Sequence, residues 1–147
     1  MMRRAFILIM AVALAAVSCN TQTKEQGNPF YAEWKTPFGV PPFDQIRNEH
    51  YLPAIDSGIA LARLQIAEIT ANAEAPTFAN TVAQYDRAGE LMSKVAYVFY
   101  SQTSANTNDT LEALQMEIAP KMSAFSDEVL LNAELFSRIR TVWENRS

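Results

Sequence analysis

The sequence predicts an all-α protein with four helices, preceded by an export signal and an extended arm. After about residue 50, apolar residues recur every three or four positions in four separate stretches, which is the period of one helix face. No stretch alternates between apolar and polar residues, as a half-buried strand would. Because short polar segments separate the four stretches, we expect one helical body over residues 30–147.

Residues 1–18 have the build of a secretory signal peptide. Arg3 and Arg4 form a basic start, and residues 5–17 are an uncharged apolar run too short to span a bilayer stably. The A-V-S-C sequence ending at Cys19 resembles a bacterial lipobox, with Ala16 where leucine is usual. This resemblance implies that Cys19 carries lipid, in an exported lipoprotein anchored on the periplasmic side or in the outer membrane of a bacterium. The alternative is an ordinary signal peptide followed by a stray cysteine.

Two non-helical segments follow the signal. Residues 19–29 are polar and lack periodicity, which predicts a flexible tether. Residues 30–47 are rich in proline, which excludes a regular helix. Five aromatic side chains lie in this second stretch, namely Phe30, Tyr31, Trp34, Phe38 and Phe43. We therefore predict an extended arm laid over the helical body, or alternatively a strap that recognises peptides.

The first helix is predicted over about residues 50–72. Its apolar stripe consists of Leu52, Ile55, Ile59, Ala62, Ile66 and Ile69. Pro53 is expected only in the first turn, where its missing N–H leaves no bond unmade, so the helix should begin near residues 48–52.

The second helix is predicted over residues 78–104, with Thr77 as its N-cap. Its stripe consists of Phe78, Val82, Tyr85, Gly89, Met92, Ala96 and Phe99. A neighbouring apolar row of Leu91, Val95 and Val98 gives this helix more apolar surface than a two-sided contact requires. We therefore expect apolar surface of this helix to be left uncovered.

The third and fourth helices are predicted over residues 109–130 and 133–145. Asp109 with Glu112 resembles a capping box, and Pro120 should kink the third helix around residues 116–119. Its stripe consists of Leu111, Leu114, Ile118, Met122, Phe125 and Val129. The fourth helix should start at Asn132, with Leu131 and Phe136 forming a hydrophobic staple. It runs through Leu135, Ile139, Val142 and Trp143.

Charge excludes one class of partner. The whole chain has a formal net charge of −4, and removing residues 1–18 takes away two arginines and no acids, which leaves −6. Because nucleic-acid-binding surfaces are basic, we expect no nucleic-acid partner.

The one histidine, His50, is the first candidate for chemistry. A zinc site needs further ligands at helical or loop spacing, and the sequence offers no second histidine near it. No G-x-S-x-G elbow is present for a nucleophile that would use His50 as its base. We therefore predict that His50 hydrogen-bonds locally at a helix start, and we assign no catalytic and no metal-binding residue. Acid–base chemistry by a pair of carboxylates stays open, because no spacing singles out a pair.

The polar cluster at residues 101–109, S-Q-T-S-A-N-T-N-D, is the second candidate. Its hydroxyls and amides could line a ligand groove. Alternatively, the cluster ends one helix and caps the next, which asparagine and aspartate do well. We favour the capping role.

Five motifs, taken together, resemble one enzyme family. F-D-x-I, E-H-Y-L-P-A, A-P-T-F-x-N-T, S-x-N-T-N and L-N-x-x-L-F occur in this order and span nearly all of residues 28–146. The set is similar to the N-terminal region of bacterial peptidyl-dipeptidases, which belong with oligopeptidase A and thimet oligopeptidase. The resemblance implies a larger, almost entirely helical zinc metallopeptidase that acts on short peptides and releases C-terminal dipeptides.

The family's zinc ligands have no counterpart in this sequence. They lie in an H-E-x-x-H helix and a later glutamate of the C-terminal half, whereas this sequence has N-E-H at residues 48–50 and no H-E-x-x-H. We therefore expect an N-terminal fragment that is inactive alone and needs no cofactor. In the parent enzyme it would form part of the substrate-channel wall and pack against the missing catalytic half. The alternative is a free-standing helical lipoprotein that binds peptides or a partner without catalysis.

Overall fold

A computed structural model describes residues 27–146 and shows a helical body. Its helices are α1 (Asn48–Ala71), α2 (Ala83–Arg87), α3 (Glu90–Asn106), α4 (Asp109–Leu130) and α5 (Ala133–Glu144), and a π-helical segment (Phe78–Val82) leads into α2. No strand occurs between residues 27 and 146, so the all-α prediction with four helices is confirmed, although the second of them is divided. The signal peptide, Cys19 and most of the predicted tether lie outside the described residues.

Helix α1 is the centre of the body, with α3 and α4 packed against it. Five of the six residues of its predicted stripe are buried, and Leu52 is partly buried, so the period of the sequence identified the correct face. The helix begins at Asn48, within the predicted range, but Pro53 is its sixth residue and lies in the second turn. The expectation of a first-turn proline was therefore wrong. One backbone N–H is absent from the helical ladder at this point.

Gly58 marks the crossing of α1 and α3. A Cβ atom at this position would lie 2.7 Å from the backbone nitrogen of Met92 and 2.8 Å from its Cα. Only a residue without a side chain permits so close an approach between two helix backbones.

The prediction of one continuous helix over residues 78–104 is wrong, because the helix is interrupted at Gly89. This residue has φ 83° and ψ 17°, the left-handed conformation that glycine adopts without steric strain. The side-chain oxygen of Gln65 accepts a hydrogen bond from the Gly89 N–H at 3.0 Å, which fixes the turn to α1. The break at Gly89 therefore separates α2 from α3.

Apolar surface of the second predicted helix is uncovered, but not at Val95 and Val98. These two residues are 0% and 4% exposed and lie in the core. Conversely, Phe78 of the predicted stripe is 67% exposed, and Thr81 is fully buried instead. The period of a sequence shows which faces are apolar, but not which part of the chain covers each face.

Helix α4 has the predicted bounds, but its N-cap is Asn108, one residue before the predicted cap Asp109. The Asn108 side chain accepts hydrogen bonds from the N–H groups of Thr110 and Leu111, and Asp109 is the first helical residue. The α-helix is continuous through Pro120 and ends at Leu130. Its predicted stripe is buried or partly buried, as expected. Two ion pairs join α4 to α1: Lys121 to Asp56 at 2.8 Å and Arg63 to Glu128 at 2.7 Å.

Helix α5 starts where the sequence predicted. The Asn132 side chain accepts a hydrogen bond from the Leu135 N–H at 2.8 Å. The predicted staple is not buried, however, because Leu131 and Phe136 are 83% and 64% exposed. None of the helices within residues 27–146 is both long and apolar enough to cross a membrane.

The buried side chains form two separate clusters. The larger cluster joins α1, α3 and α4 and includes Phe30 from the segment before α1. The smaller cluster consists of Ile66 and Ile69 of α1 with Leu135 of α5, and partly buried side chains such as Tyr85 and Ile139 pack against it.

Candidate functional site

His50 caps the start of α1, as predicted. Its Nδ1 accepts a hydrogen bond from the backbone N–H of Arg47 at 3.1 Å, which occupies one of the two nitrogens that a metal could use. Glu49 points to Arg47 instead, with 3.9 Å between the charged groups. The next residue, Tyr51, is buried between the rings of Phe30 and Phe99 at centroid distances of 5.5 and 5.1 Å. His50 and its neighbours therefore stabilise a helix start.

The polar cluster at residues 101–109 ends α3 and caps α4, so the predicted capping role is confirmed. Part of the cluster also borders surface pockets. Ser101 and Ser104 line one pocket, and Gln102, Asn106 and Asn108 line another of about 170 Å³. The two roles are compatible, because capping engages the side chain of Asn108 and leaves the serines on the surface.

The A-P-T-F-x-N-T motif builds the turn into the π-helical segment. The Thr77 hydroxyl accepts from the Asn80 N–H at 3.1 Å, and the Asn80 side-chain oxygen accepts from the Thr77 N–H at 2.8 Å. Arg138 of α5 then donates to the backbone oxygens of Asn72 at 2.7 Å and Glu74 at 3.3 Å. The guanidinium group thus fastens α5 to the loop after α1.

Lys94 fastens the segment before α1 to the body. Its ammonium group donates to the backbone oxygens of Phe30 at 3.1 Å and Ala32 at 2.8 Å, and it lies 4.2 Å from the ring centre of Trp34. Partial burial lowers the pKa of the Lys94 ammonium. Asn28 adds a hydrogen bond to the backbone oxygen of His50 at 2.8 Å. Phe38, by contrast, is wholly exposed, at the tip of the segment.

Two surface pockets that share Met122, which we together call the trough, lie along α3 and α4. One end has a volume of about 620 Å³ and the other of about 470 Å³, and Met122 lines both. Tyr97, Ser101 and Ser104 of α3 form one wall, whereas Ser126 and Leu130 belong to the α4 side. Met122 is the one residue that lines both of these pockets.

The described residues do not form a metal centre. Between residues 27 and 146, no three histidine, cysteine, aspartate or glutamate side chains are grouped closely enough to hold a metal ion. His50 and Glu49 do not fit the zinc site of a metallopeptidase, because that site needs at least three protein ligands. The trough is a candidate binding surface, lined by apolar and hydroxyl side chains of α3 and α4.

Comparison with known proteins gives the family context. No protein-family profile matches the chain. Dipeptidyl carboxypeptidase of Escherichia coli (strain K12) is 40% identical over 119 residues, and dipeptidyl carboxypeptidase of Salmonella typhimurium (strain LT2) is 37% identical over 119 residues. The chain is homologous to part of dipeptidyl carboxypeptidase. The match covers 81% of this chain and 18% of each relative, so the chain spans less than a fifth of the length of these relatives.

The resemblance to dipeptidyl carboxypeptidase predicted from the motifs is thus confirmed, and the structure shows what the motifs do. E-H-Y-L-P-A places the His50 cap and the buried Tyr51. S-x-N-T-N ends α3 and supplies the Asn108 cap, and L-N-x-x-L-F supplies the Asn132 cap and the buried Leu135. These motifs thus specify helix ends and core contacts.

The structural roles of three residues in this dipeptidyl carboxypeptidase homologue were not predicted from the sequence. Lys94 had a signal, because it is the one charged residue in the stretch M-S-K-V-A-Y-V-F-Y. Tyr97 is 76% exposed, and it lies outside the apolar stripe of its helix, which was a weaker signal. No feature of the sequence indicated the role of Arg138, since an arginine on a surface helix usually faces solvent.

Proposed function

We propose that this chain is the N-terminal, non-catalytic part of an exported, zinc-dependent enzyme of the dipeptidyl carboxypeptidase type, which hydrolyses short peptides and releases C-terminal dipeptides. The proposal rests on the match to a dipeptidyl carboxypeptidase, which is 40% identical over 119 residues. The matched region is 18% of the length of that enzyme. In this proposal the zinc ligands belong to the part of the enzyme beyond the described residues.

The architecture of the chain supports a scaffolding role. Its named polar groups cap helices or fasten segments, as His50, Asn108 and Arg138 do. A rigid helical body of this kind would contribute to the wall of a substrate channel and restrict access to short peptides. The wall supplies shape, whereas the catalytic half supplies the chemistry.

A chimera tests the proposal. The matched 119 residues of the Escherichia coli dipeptidyl carboxypeptidase would be replaced by the corresponding residues of this chain. We expect the chimera to fold and to release dipeptides from a short peptide, because the helices introduced from this chain keep their caps and core contacts. The matched control is the Escherichia coli enzyme with the same segment deleted, which should be inactive.

The alternative is a free-standing helical lipoprotein that binds peptides in the trough. An insoluble or inactive chimera, together with saturable binding of short peptides to the 147-residue chain, would favour this alternative. An active chimera would contradict it.

Export and membrane anchoring through Cys19 are a separate part of the proposal. Two or three acyl chains hold a protein firmly at a membrane, whereas one chain binds only marginally. We expect the Cys19→Ala variant, expressed in a bacterial host, to move from the membrane fraction to the soluble fraction. If it stays as membrane-bound as the parent chain, the lipoprotein assignment is wrong.

A further inference from the structure

The trough lies where a bundle of three helices lacks a cover. Helix α1 packs against both α3 and α4, but α3 and α4 make few close approaches to each other. The core beneath them is therefore open on the side away from α1. Met92, Met122 and Phe125, which line this opening, also belong to or pack against the main hydrophobic cluster.

The dimensions of the trough suit one helix. The α3 residues that line it run from Met92 to Ser104, a distance of about 18 Å at 1.5 Å per residue. A helix of about 12 residues has this length, and packed helices lie about 8–10 Å apart. Four helices around a shared core form a common, stable arrangement, so a helix in the trough would complete the bundle.

The lining indicates the chemistry of the occupant. Met122 and Leu130 offer apolar contact, and methionine adapts its shape to a neighbouring surface. The serines at positions 93, 101 and 104 are small and allow a second helix to approach α3 closely. Among the residues that line the two ends of the trough, Asp86 alone carries a charge. The occupant should present an apolar stripe, with a basic residue near Asp86.

We propose that the trough is an intramolecular docking site for an amphipathic helix from the remainder of a dipeptidyl carboxypeptidase-type polypeptide. The inference rests on the proposed function, since relatives matched over only 18% of their length have more than enough further chain to supply such a helix. A second copy of this chain fits less well, because each copy carries a formal net charge of −4.

Cysteine labelling tests the docking site. Ser101→Cys and Ser104→Cys would be introduced separately into the 147-residue chain and into the active chimera, each with Cys19 replaced by serine. Ala60→Cys, at a small, exposed residue of α1 away from the trough, is the matched control. Rates of alkylation by iodoacetamide would be measured at each site by peptide mapping. We expect both trough cysteines to react rapidly in the 147-residue chain and on the order of 100-fold more slowly in the chimera, with Ala60→Cys unchanged.

The outcomes separate this inference from the proposed function. Rapid labelling of the trough cysteines in an active chimera would overturn the docking site and leave the proposed function standing. Protection that appears only after a peptide substrate is added would assign the trough to substrate, and protection of all three sites would deny it any special role. Concentration-dependent protection in the 147-residue chain would identify a second copy as the occupant. A chimera that does not fold would contradict the proposed function and the docking site together.

Discussion

The close approach of α1 and α3 predicts that Gly58→Ala destabilises the protein. The added Cβ would lie 2.7 and 2.8 Å from two backbone atoms of Met92, and real Cβ atoms essentially never come within 3.0 Å of a neighbour. Because the obstructing atoms belong to a helix backbone, no side-chain rotation relieves the overlap. The two helices must move apart, which loosens the main cluster on both sides of the crossing.

The expected magnitude follows from two opposing effects. Overpacking a well-packed core costs about 1–3 kcal/mol, and a backbone obstruction places this case near the upper end. Alanine is better than glycine in a helix interior by about 1 kcal/mol, which offsets part of that cost. The net loss in the free energy of unfolding should therefore be about 2 kcal/mol, or roughly 4–8 °C in melting temperature for a chain of this size.

Urea unfolding of the 147-residue chain, followed by circular dichroism at a helical wavelength, measures this effect. Gly27→Ala is the control, because a Cβ at Gly27 would have no atom within 4 Å, and its unfolding midpoint should match the parent chain. A Gly58→Ala variant as stable as the parent, or more stable, would refute the close crossing of α1 and α3.

Four further predictions test other contacts. Arg138→Lys should lower the free energy of unfolding by about 1–2 kcal/mol, because an ammonium group replaces only part of the guanidinium contacts to the backbone oxygens of Asn72 and Glu74. The control is Arg140→Lys, at an exposed ion pair, which should change the free energy of unfolding by less than about 0.5 kcal/mol in the same urea assay. The hydrogen bond from Arg63 lowers the pKa of Glu128, so this pair stabilises the fold above the ordinary carboxyl pKa of 4.5 and loses its effect as the pH falls through the lowered pKa. The difference in urea midpoint between the parent chain and Glu128→Gln should therefore be present at pH 7 and shrink toward pH 3, and a difference independent of pH would contradict this. Calorimetry on residues 20–147 should show no tight, stoichiometric zinc binding, and a tight 1:1 signal would reveal a site that the geometry of His50 does not suggest. A hydrophobic dye should fluoresce with the folded chain, because Leu130, Leu131 and Tyr97 are each more than 70% exposed. A Leu130→Gln variant should give a weaker signal, and equal signals would exclude Leu130 from the dye site.

The sequence predicted helix faces well where one helix meets one core. The stripe of α1 was correct because other elements cover the same face along the whole helix, the main cluster at Ile55 and Ile59 and Leu135 of α5 at Ile66 and Ile69. Caps were also predictable, since an asparagine such as Asn132 or Asn108 makes a bond only a few residues away. Local rules are sufficient for local contacts.

The sequence failed where burial depends on distant parts of the chain. Val95 and Val98 are covered in a cluster that includes Phe30, more than 60 residues earlier, and no local pattern indicates that contact. Gly89 satisfied the apolar stripe and was therefore assigned to a helix interior, although a glycine between two helical stretches is equally suited to a left-handed turn. The trough was missed because the sequence pattern of each helix does not show how far apart two consecutive helices, α3 and α4, lie in space.

The division of the core into two clusters has a consequence for how the protein opens. Helix α5 is held by Leu135, a few partly buried neighbours and the Arg138 contacts, whereas α1, α3 and α4 share the larger cluster. Its detachment therefore exposes much less apolar surface than global unfolding does, and requires less free energy. Amide hydrogen exchange should reach the backbone of α5 through this partial opening, well before it reaches the middle of α1. A protease would likewise find its first sites near the turn between α4 and α5.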